Sequence, residues 1–400
     1  MSILKRKPTI PYGKQEITQD DINAVVETLR GDFLTQGPKI RAFEDSFREY
    51  VDSKYAIAVS NGTAALHLGC LALGIEPGDR VITSPITFAA SANSILYCGG
   101  IVDFIDINEN TYTIDLDLLE KKLACKPKNY YKGIIPVAFG GFPINTEKLK
   151  EICDNYGLWM LLDACHAPGA SYLDSKGKNI KMGSNEYSDA TIFSFHPVKH
   201  IATGEGGMIT CKNEDVYNQL MKLRTHGITK EGLSYPFDDK ENQGSWYYEM
   251  QELGYNYRIT DIQAALGISQ LKRAKYNLVK RQEIAKTYKK ALELLGVKYQ
   301  EVKNNYNNAF HLFVIEVENR LGLYNFLSEN GIYAQIHYIP VHLQPYYQNI
   351  GWKKGDLPVS ENYYQHCISL PMFPTLSNME LEYIVNKIIS FHNVSIYSQY

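Results

Sequence analysis

The stretch Ala190–Gly207, ATIFSFHPVKHIATGEGG, decides how the rest of the chain is read. Its opening Ala190-Thr-Ile-Phe is an apolar run that predicts a short buried strand. The strand delivers Ser194, Phe195, His196 and Pro197 into a tight connection, with Lys199 just beyond. The glycine-punctuated Gly204–Gly207 then precedes a second β-like run, Met208-Ile-Thr. A lone lysine after a strand is ordinarily a solvated surface charge. The alternative is a Schiff-base lysine, whose amine must be partly desolvated to act as nucleophile and base. Lys199 alone does not decide between them, so the other parts of such a site must be found elsewhere.

Working outward, short apolar runs alternate with helical stretches from Tyr55 onward. The predicted strands are 55–59, 80–84, 102–106, 133–137, 158–162, 190–194 and 208–210. Continuous rather than alternating apolar runs imply a sheet covered on both faces, and therefore a mainly parallel α/β architecture. Helices are predicted after Thr18, with Val25 and Leu29 on one face, and over RAFEDSFREYV. One long helical pattern runs from Thr260 or Asp261, either of which could cap it, to Leu295. Shorter strand-like segments follow at 309–317 and 333–338, with a last helix near 379–389. The segment Gly227–Met250 is too long for an idle connection and too rich in Trp and Tyr for a flexible linker, so it is expected to be a lid or interface element. The domain boundary is placed near 249–254. Residues 1–250 then form a large domain carrying an N-terminal arm and the aromatic loop, and 251–400 a smaller C-terminal α/β domain.

Composition excludes several classes. The 400 residues carry a net charge of −3 with no long basic run, which argues against nucleic acid or an anionic membrane as partner. No apolar stretch is long enough to span a bilayer and no leader pattern opens the chain. Seven scattered cysteines without CxxC spacing argue against a disulfide framework or a zinc site, and a reducing cytoplasm is the expected compartment.

The missing parts of the site lie at other strand ends. Strand 55–59 runs into SNGTAALHLGC, where Thr63 and Ala64 sit in the first turn of a helix whose free N–H groups face an anion. Asp163 leaves the apolar run 158–162, where a carboxylate is costly unless paired with a cation. A protonated pyridine nitrogen is such a cation. His166 follows three residues on. Phe88 comes just after strand 80–84, where ligands of open α/β sheets collect, and its ring could stack on a flat cofactor. Ser194 adds a hydroxyl. Taken singly, each has an ordinary structural explanation: a cap, a core ring, a satisfied histidine. Together they make a phosphate cradle, a stacking ring, an acid and a lysine, which is the set that pyridoxal 5′-phosphate (PLP) requires.

At this point the sequence resembles the DegT/DnrJ-type sugar-nucleotide aminotransferases, fold-type I PLP enzymes. The motifs that carry the likeness are SNGTAAL (60–66), DACHAPGA (163–170), SFHPVK (194–199), GEGG (204–207) and GYNYRITDIQAALG (254–267). It extends from IPYGKQ at residue 10 to SLPMFP ending at 374. The resemblance implies that Lys199 carries the cofactor as an imine and alternates it with pyridoxamine 5′-phosphate. It implies that Asp163 pairs with the ring nitrogen, that His166 sits beside the ring and Phe88 on it, and that Thr63, Ala64 and Ser194 hold the phosphate. Asn256 would reach the phosphate of a neighbouring subunit in a homodimer, with Trp246 and Tyr247 over the partner's site. Tyr338 and His342 would meet the sugar. L-Glutamate is the implied donor and a UDP-linked 4-keto-6-deoxy-N-acetylhexosamine the implied acceptor, on a route to pseudaminic acid. Ala138 departs from the pattern, standing where relatives often carry His. A GDP-linked keto sugar of the perosamine type and a PLP-holding scaffold without activity are the alternatives. A sugar dehydratase would replace Lys199 by histidine. An amino-acid aminotransferase would need a carboxylate-binding arginine in the small domain, where Arg320 is the sole arginine after Arg281.

Overall fold

The structure is a computed structural model and describes residues 8–235, 243–293 and 295–397, the side chains of 394–397 excepted. The part of the aromatic loop over 236–242 and the start of the N-terminal arm, 1–7, lie outside the described residues. Seven strands make the main sheet: β1 (Tyr55–Val59), β2 (Arg80–Thr83), β3 (Ile101–Phe104), β4 (Gly133–Ile135), β5 (Trp159–Asp163), β6 (Ala190–Ser194) and β7 (Gly207–Cys211). Their order across the sheet is β1-β7-β6-β5-β4-β2-β3. The pairs β3–β2, β2–β4, β4–β5 and β5–β6 are parallel, while β7 runs antiparallel to both β6 and β1. This is the mainly parallel α/β sheet that the resemblance implies, and each of its strands corresponds to a predicted run. The sheet is buried on both faces, between one apolar cluster containing Phe43, Phe47, Met160 and Phe193 and another containing Ile57, Leu68, Ile135 and Ile192.

Glycine at position 207 is required by this order. Val59 and Ser194 both pair with Gly207, and a Cβ there would lie 2.4 Å from the Asn61 carbonyl oxygen. Only a residue without a side chain lets β7 start so close under the turn that follows β1.

Two N-terminal helices, α1 (Gln19–Arg30) and α2 (Pro38–Val51), lie against α5 (Asp261–Lys272). Buried carboxylates tie them there. Asp21 accepts from Arg273 (2.7 Å) and Gln270 (2.8 Å), and Asp261 accepts the N–H groups of Gly37 and Lys39. The helix α5, which begins beyond the boundary expected at 249–254, thus packs against these two helices and ends at a break at Arg273. That break also divides the single long helix expected from Thr260 into α5 and α6 (Ala274–Glu293). Thr260 caps α5, its hydroxyl accepting from Gln263 N–H at 3.2 Å.

The small domain holds an antiparallel sheet of β8 (Lys298–Tyr299), β9 (Phe313–Glu316) and β10 (Cys367–Leu370), with α6 and the C-terminal α7 (Asn378–Tyr397) in its core. The arm assigned to the large domain contributes instead to this core: Ile10 is fully buried in it and bridges to Ile332. The segment 333–338, expected as a strand, makes only an isolated bridge between Gln335 and Ser369 and otherwise lines the site. Among the described residues no helix is long and apolar enough to cross a membrane.

Candidate active site

The carboxyl ends of β1, β2, β4, β5 and β6 open onto one cavity of about 720 Å³, closed on the other side by the small domain and the N-terminal arm. Thr63, Ala64, Phe88, Asp163, His166, Ser194, Lys199 and Tyr338 all line it. The turn after β1 enters α3 (Gly62–Ala72) with Asn61 as its cap. Asn61 Oδ1 accepts the Ala64 N–H at 2.8 Å, so an anion seated here must share or displace that bond. A Cβ on Gly62 would stand 3.0 Å from Ser194 Cβ and 3.3 Å from its Oγ, which makes this floor a cradle open only because residue 62 is glycine.

Asp163 ends β5 almost wholly buried. Ser91 Oγ donates to its Oδ2 at 2.7 Å and the Cys165 N–H to its Oδ1 at 3.1 Å. Ser91 belongs to α4 (Ala90–Tyr97) and is itself bonded to Thr87 Oγ1 at 2.7 Å. These bonds hold an anionic carboxylate in an otherwise apolar place, with its remaining lone pairs toward the cavity.

His166 is fixed as a neutral ring. The Gly140 N–H donates to its Nδ1 at 3.3 Å, which leaves the ring proton on Nε2, 3.3 Å from Tyr338 Oη. Burial, then the nearby Lys199, His337 and His200, holds this imidazole well below the ordinary histidine range. The Tyr338 phenol is pushed up by burial, and its ring meets Phe88 edge-on at 6.3 Å. Phe88 itself is 65% exposed, with its face free to the cavity mouth.

Lys199 keeps some surface open to the cavity, yet protein surrounds it closely enough that desolvation lowers its amine below the ordinary lysine value. The Cys165 thiol and the Asp163 carboxylate oppose that shift and the Arg281 guanidinium reinforces it. Its Nζ lies 3.4 Å from His311 Nε2.

Other expected residues sit elsewhere in this chain. His342 does not reach the cavity: it is fully buried, its Nε2 is 3.0 Å from Glu361 Oε1, and its ring packs near Phe104 and Trp352. A sugar contact by His342 is therefore withdrawn, because a buried carboxylate from another helix has taken its side chain into the core. Asn256 is exposed and outside the cavity, in an isolated bridge to Thr225. Trp246 is exposed as well, and Tyr247 stacks on Tyr235 at 5.1 Å. Arg320 lies against Tyr364, bonded to its carbonyl, and does not line the cavity. The fully buried Arg281 donates to the carbonyls of Phe310, His311 and Met372. Neither arginine is placed to receive a substrate carboxylate.

Three of the lining residues were not among those expected. Tyr12 enters from the arm beside His337, with ring centroids 5.4 Å apart. Ser91 could have been found, since SPITFAASANS puts it in the first turn of the helix that follows Phe88. His311 is delivered across the domain boundary.

Residues 15–389 match the DegT/DnrJ/EryC1/StrS aminotransferase family. The spore coat polysaccharide biosynthesis protein SpsC of Bacillus subtilis is 38% identical over 395 residues, covering 96% of this chain and 98% of SpsC. The UDP-4-amino-4,6-dideoxy-N-acetyl-β-L-altrosamine transaminase of Campylobacter jejuni is 35% identical over 392 residues, covering 95% and 97%. Among solved structures, the putative sugar aminotransferase Spr1654 of Streptococcus pneumoniae in its PMP form superposes with a TM-score of 0.87 at 29% identity, covering 96% of this chain and 99% of that one. It has also been solved in a PLP form.

Proposed function

The chain belongs to the DegT/DnrJ/EryC1/StrS aminotransferase family, and from that premise we propose that it moves the amino group of L-glutamate to C4 of a UDP-linked 4-keto-6-deoxy-N-acetylhexosamine. It is a PLP-dependent sugar aminotransferase. The 4-amino sugar nucleotide it makes would feed pseudaminic acid and surface glycan synthesis. One observation carries the reading: the lysine, the buried carboxylate and the glycine-floored cradle converge on a single cavity from separate strands.

The residues fit the cofactor's chemistry. When bound, PLP supplies an electrophilic carbon for amines and a protonated ring that takes up the electron pair left when a substrate C–H bond breaks. The α3 N-terminus with Thr63 and Ser194 receives the phosphate, where unpaired N–H groups and the helix dipole favour an anion. Asp163 holds the proton on the ring nitrogen, and Phe88 stacks on the ring. The neutral His166, a donor through Nε2, offers its hydrogen bond beside the ring without adding charge. The Lys199 amine, whose proton affinity is lowered by desolvation, would take the proton from the substrate Cα and hold it at the reacting centre. In the second half the same amine would give a proton to the sugar carbon that receives the amino group.

Two copies complete the site. Asn256, Trp246 and Tyr247 stand outside their own cavity, and Leu253 and Met250 of the same stretch of chain are exposed too. A second copy covering this stretch would receive Asn256 at its phosphate and the aromatic loop over its sugar. Tyr338 stays within its own chain's cavity and meets the sugar there.

The test is spectroscopic. Purified protein should show a visible cofactor band that moves to the pyridoxamine form on adding L-glutamate, and the Lys199→Ala variant should lack it. UDP- and GDP-linked 4-keto sugars are then offered in turn, and the UDP sugar should restore the band. Restoration by a GDP sugar alone would establish the perosamine-type alternative. Failure of added PLP to produce any band would overturn the whole assignment.

A further inference from the structure

His311 was not among the expected site residues, yet its Nε2 lies within hydrogen-bond distance of the Lys199 amine, 3.4 Å from Nζ. Its position is built from both domains. Ala309 N–H donates to Gly141 O and Leu312 N–H to Gly140 O, so the chain around His311 is laced onto the turn that also orients His166. Gly141 permits this approach, since a Cβ there would stand 2.7 Å from Phe310 N and 2.9 Å from His311 N. The His166 and His311 rings lie 4.3 Å apart. His311 Nδ1 is buried without a hydrogen-bond partner among the described residues, so no carboxylate draws the ring toward its charged form.

We propose that His311 is a positioning residue, a neutral acceptor at Nε2 that takes one N–H of Lys199 and so holds the amine at the reacting centre whenever it is not joined to the cofactor. This rests on Lys199 being the amine that joins the cofactor, as argued above. Without such an acceptor, a lysine ammonium in this cavity is drawn toward the Asp163 carboxylate, the group needed at the ring nitrogen. A bond to His311 keeps the two apart. The ring can play this part only while neutral. Burial, with Lys199, His166, His200 and Arg281 on its other sides, holds it well below the ordinary histidine range.

A neutral acceptor stabilises an ammonium donor more than an amine donor, so it raises the lysine's proton affinity against the desolvation around it. The groups facing Lys199 are Asp163, Cys165, His166, His200, His337 and Arg281, and all are retained in the test. Cofactor-free protein is labelled with trace acetic anhydride across pH, and Lys199 is quantified by mass spectrometry against exposed lysines such as Lys354. In His311→Leu the labelling midpoint of Lys199 should fall by about one unit, roughly a tenfold larger neutral fraction at fixed low pH. In His311→Gln, which restores an acceptor, it should stay near wild type. A merely structural role predicts the opposite sign, because a loosened pocket would hydrate the amine and return it toward the ordinary lysine value. An unchanged or raised midpoint in His311→Leu, or an equal fall in both variants, overturns the proposal. Should His311→Leu not fold, ¹⁵N spectra of the histidine rings, assigned with His311→Gln, decide instead: the proton must sit on Nδ1, and a proton on Nε2 overturns the acceptor role. The labelling needs no cofactor, so its failure is distinct from the absence of a cofactor band.

Discussion

Asp163 keeps two hydrogen bonds that an amide can also make, and this separates its role in the fold from its role in the reaction. In Asp163→Asn the side-chain oxygen can still accept the Cys165 N–H. The Ser91 hydroxyl can turn to accept from the new amide while donating to Thr87. The variant should therefore fold with a melting temperature within a few degrees of wild type. What it loses is the negative charge opposite a ring nitrogen, worth about 3 kcal/mol when a buried pair loses one partner, or two orders of magnitude in rate. Half-reaction rates with L-glutamate, measured beside thermal melts, check this: equal loss of stability and rate would mean that Asp163 only braces the fold. Asp163, like Lys199, Phe88 and Thr63, was legible because each comes in or just before the connection that follows an apolar run, and the alternation of strands with helices fixes which end of the sheet that is. His342 was misread for the same kind of reason in reverse. Its local stretch, HYIPVHLQ, says nothing of Glu361, nineteen positions on, which claims it.

Elements were legible where local chemistry decides them and illegible where distant contacts do. The strands of the main sheet needed only their own apolar runs. The break between α5 and α6 has no glycine or proline to announce it; Arg273 leaves the helix with its guanidinium on Asp21 and Glu16, contributed from the other end of the chain. The loop 227–250 was expected to be ordered by its aromatics, and in its described part the organiser is a carboxylate. Glu249 accepts from Ser234 N–H and Oγ, Tyr235 N–H and Tyr247 Oη, and this set of donors pulls it down to about 2. The unfolded value is roughly 4.3, so the folded state is the one that depresses it. Its contribution to closing the loop is complete above that unfolded value and disappears as pH falls through the folded one. Cleavage of wild type within this loop by an acid-tolerant protease should therefore accelerate between about pH 4.5 and 2. Glu249→Gln, which cannot satisfy all four donors, should be cut several-fold faster at neutral pH and show a much flatter pH dependence. Identical cleavage profiles for the two proteins would remove Glu249 from any part in holding the loop.

At the scale of the whole molecule, each chain offers a cavity that its own residues nearly complete and a set of polar and aromatic groups that its own cavity does not use. The N-terminal arm crosses from the large domain into the small-domain core through Ile10, and Tyr12 enters the cavity from it, so the two domains share one site within a chain. Asn256 and the aromatic loop point to sharing of a second kind, between chains, and α1 adds Ile22 and Leu29 to the exposed apolar surface. The helix α1 buries Asp21 and Thr28 against its own chain and leaves Leu29 outside. Complementation between inactive variants tests the sharing. Lys199→Ala and Asn256→Ala are each prepared alone, both with strongly reduced activity expected, then unfolded together in equal amounts and refolded. If Asn256 serves the partner's cavity, half of the random dimers are mixed, and one of the two sites in each mixed dimer receives an intact lysine and an intact asparagine. About a quarter of all sites should then recover wild-type activity. If Asn256 acts within its own chain, every lysine-bearing site still lacks its asparagine, and the mixture stays as inactive as its parents.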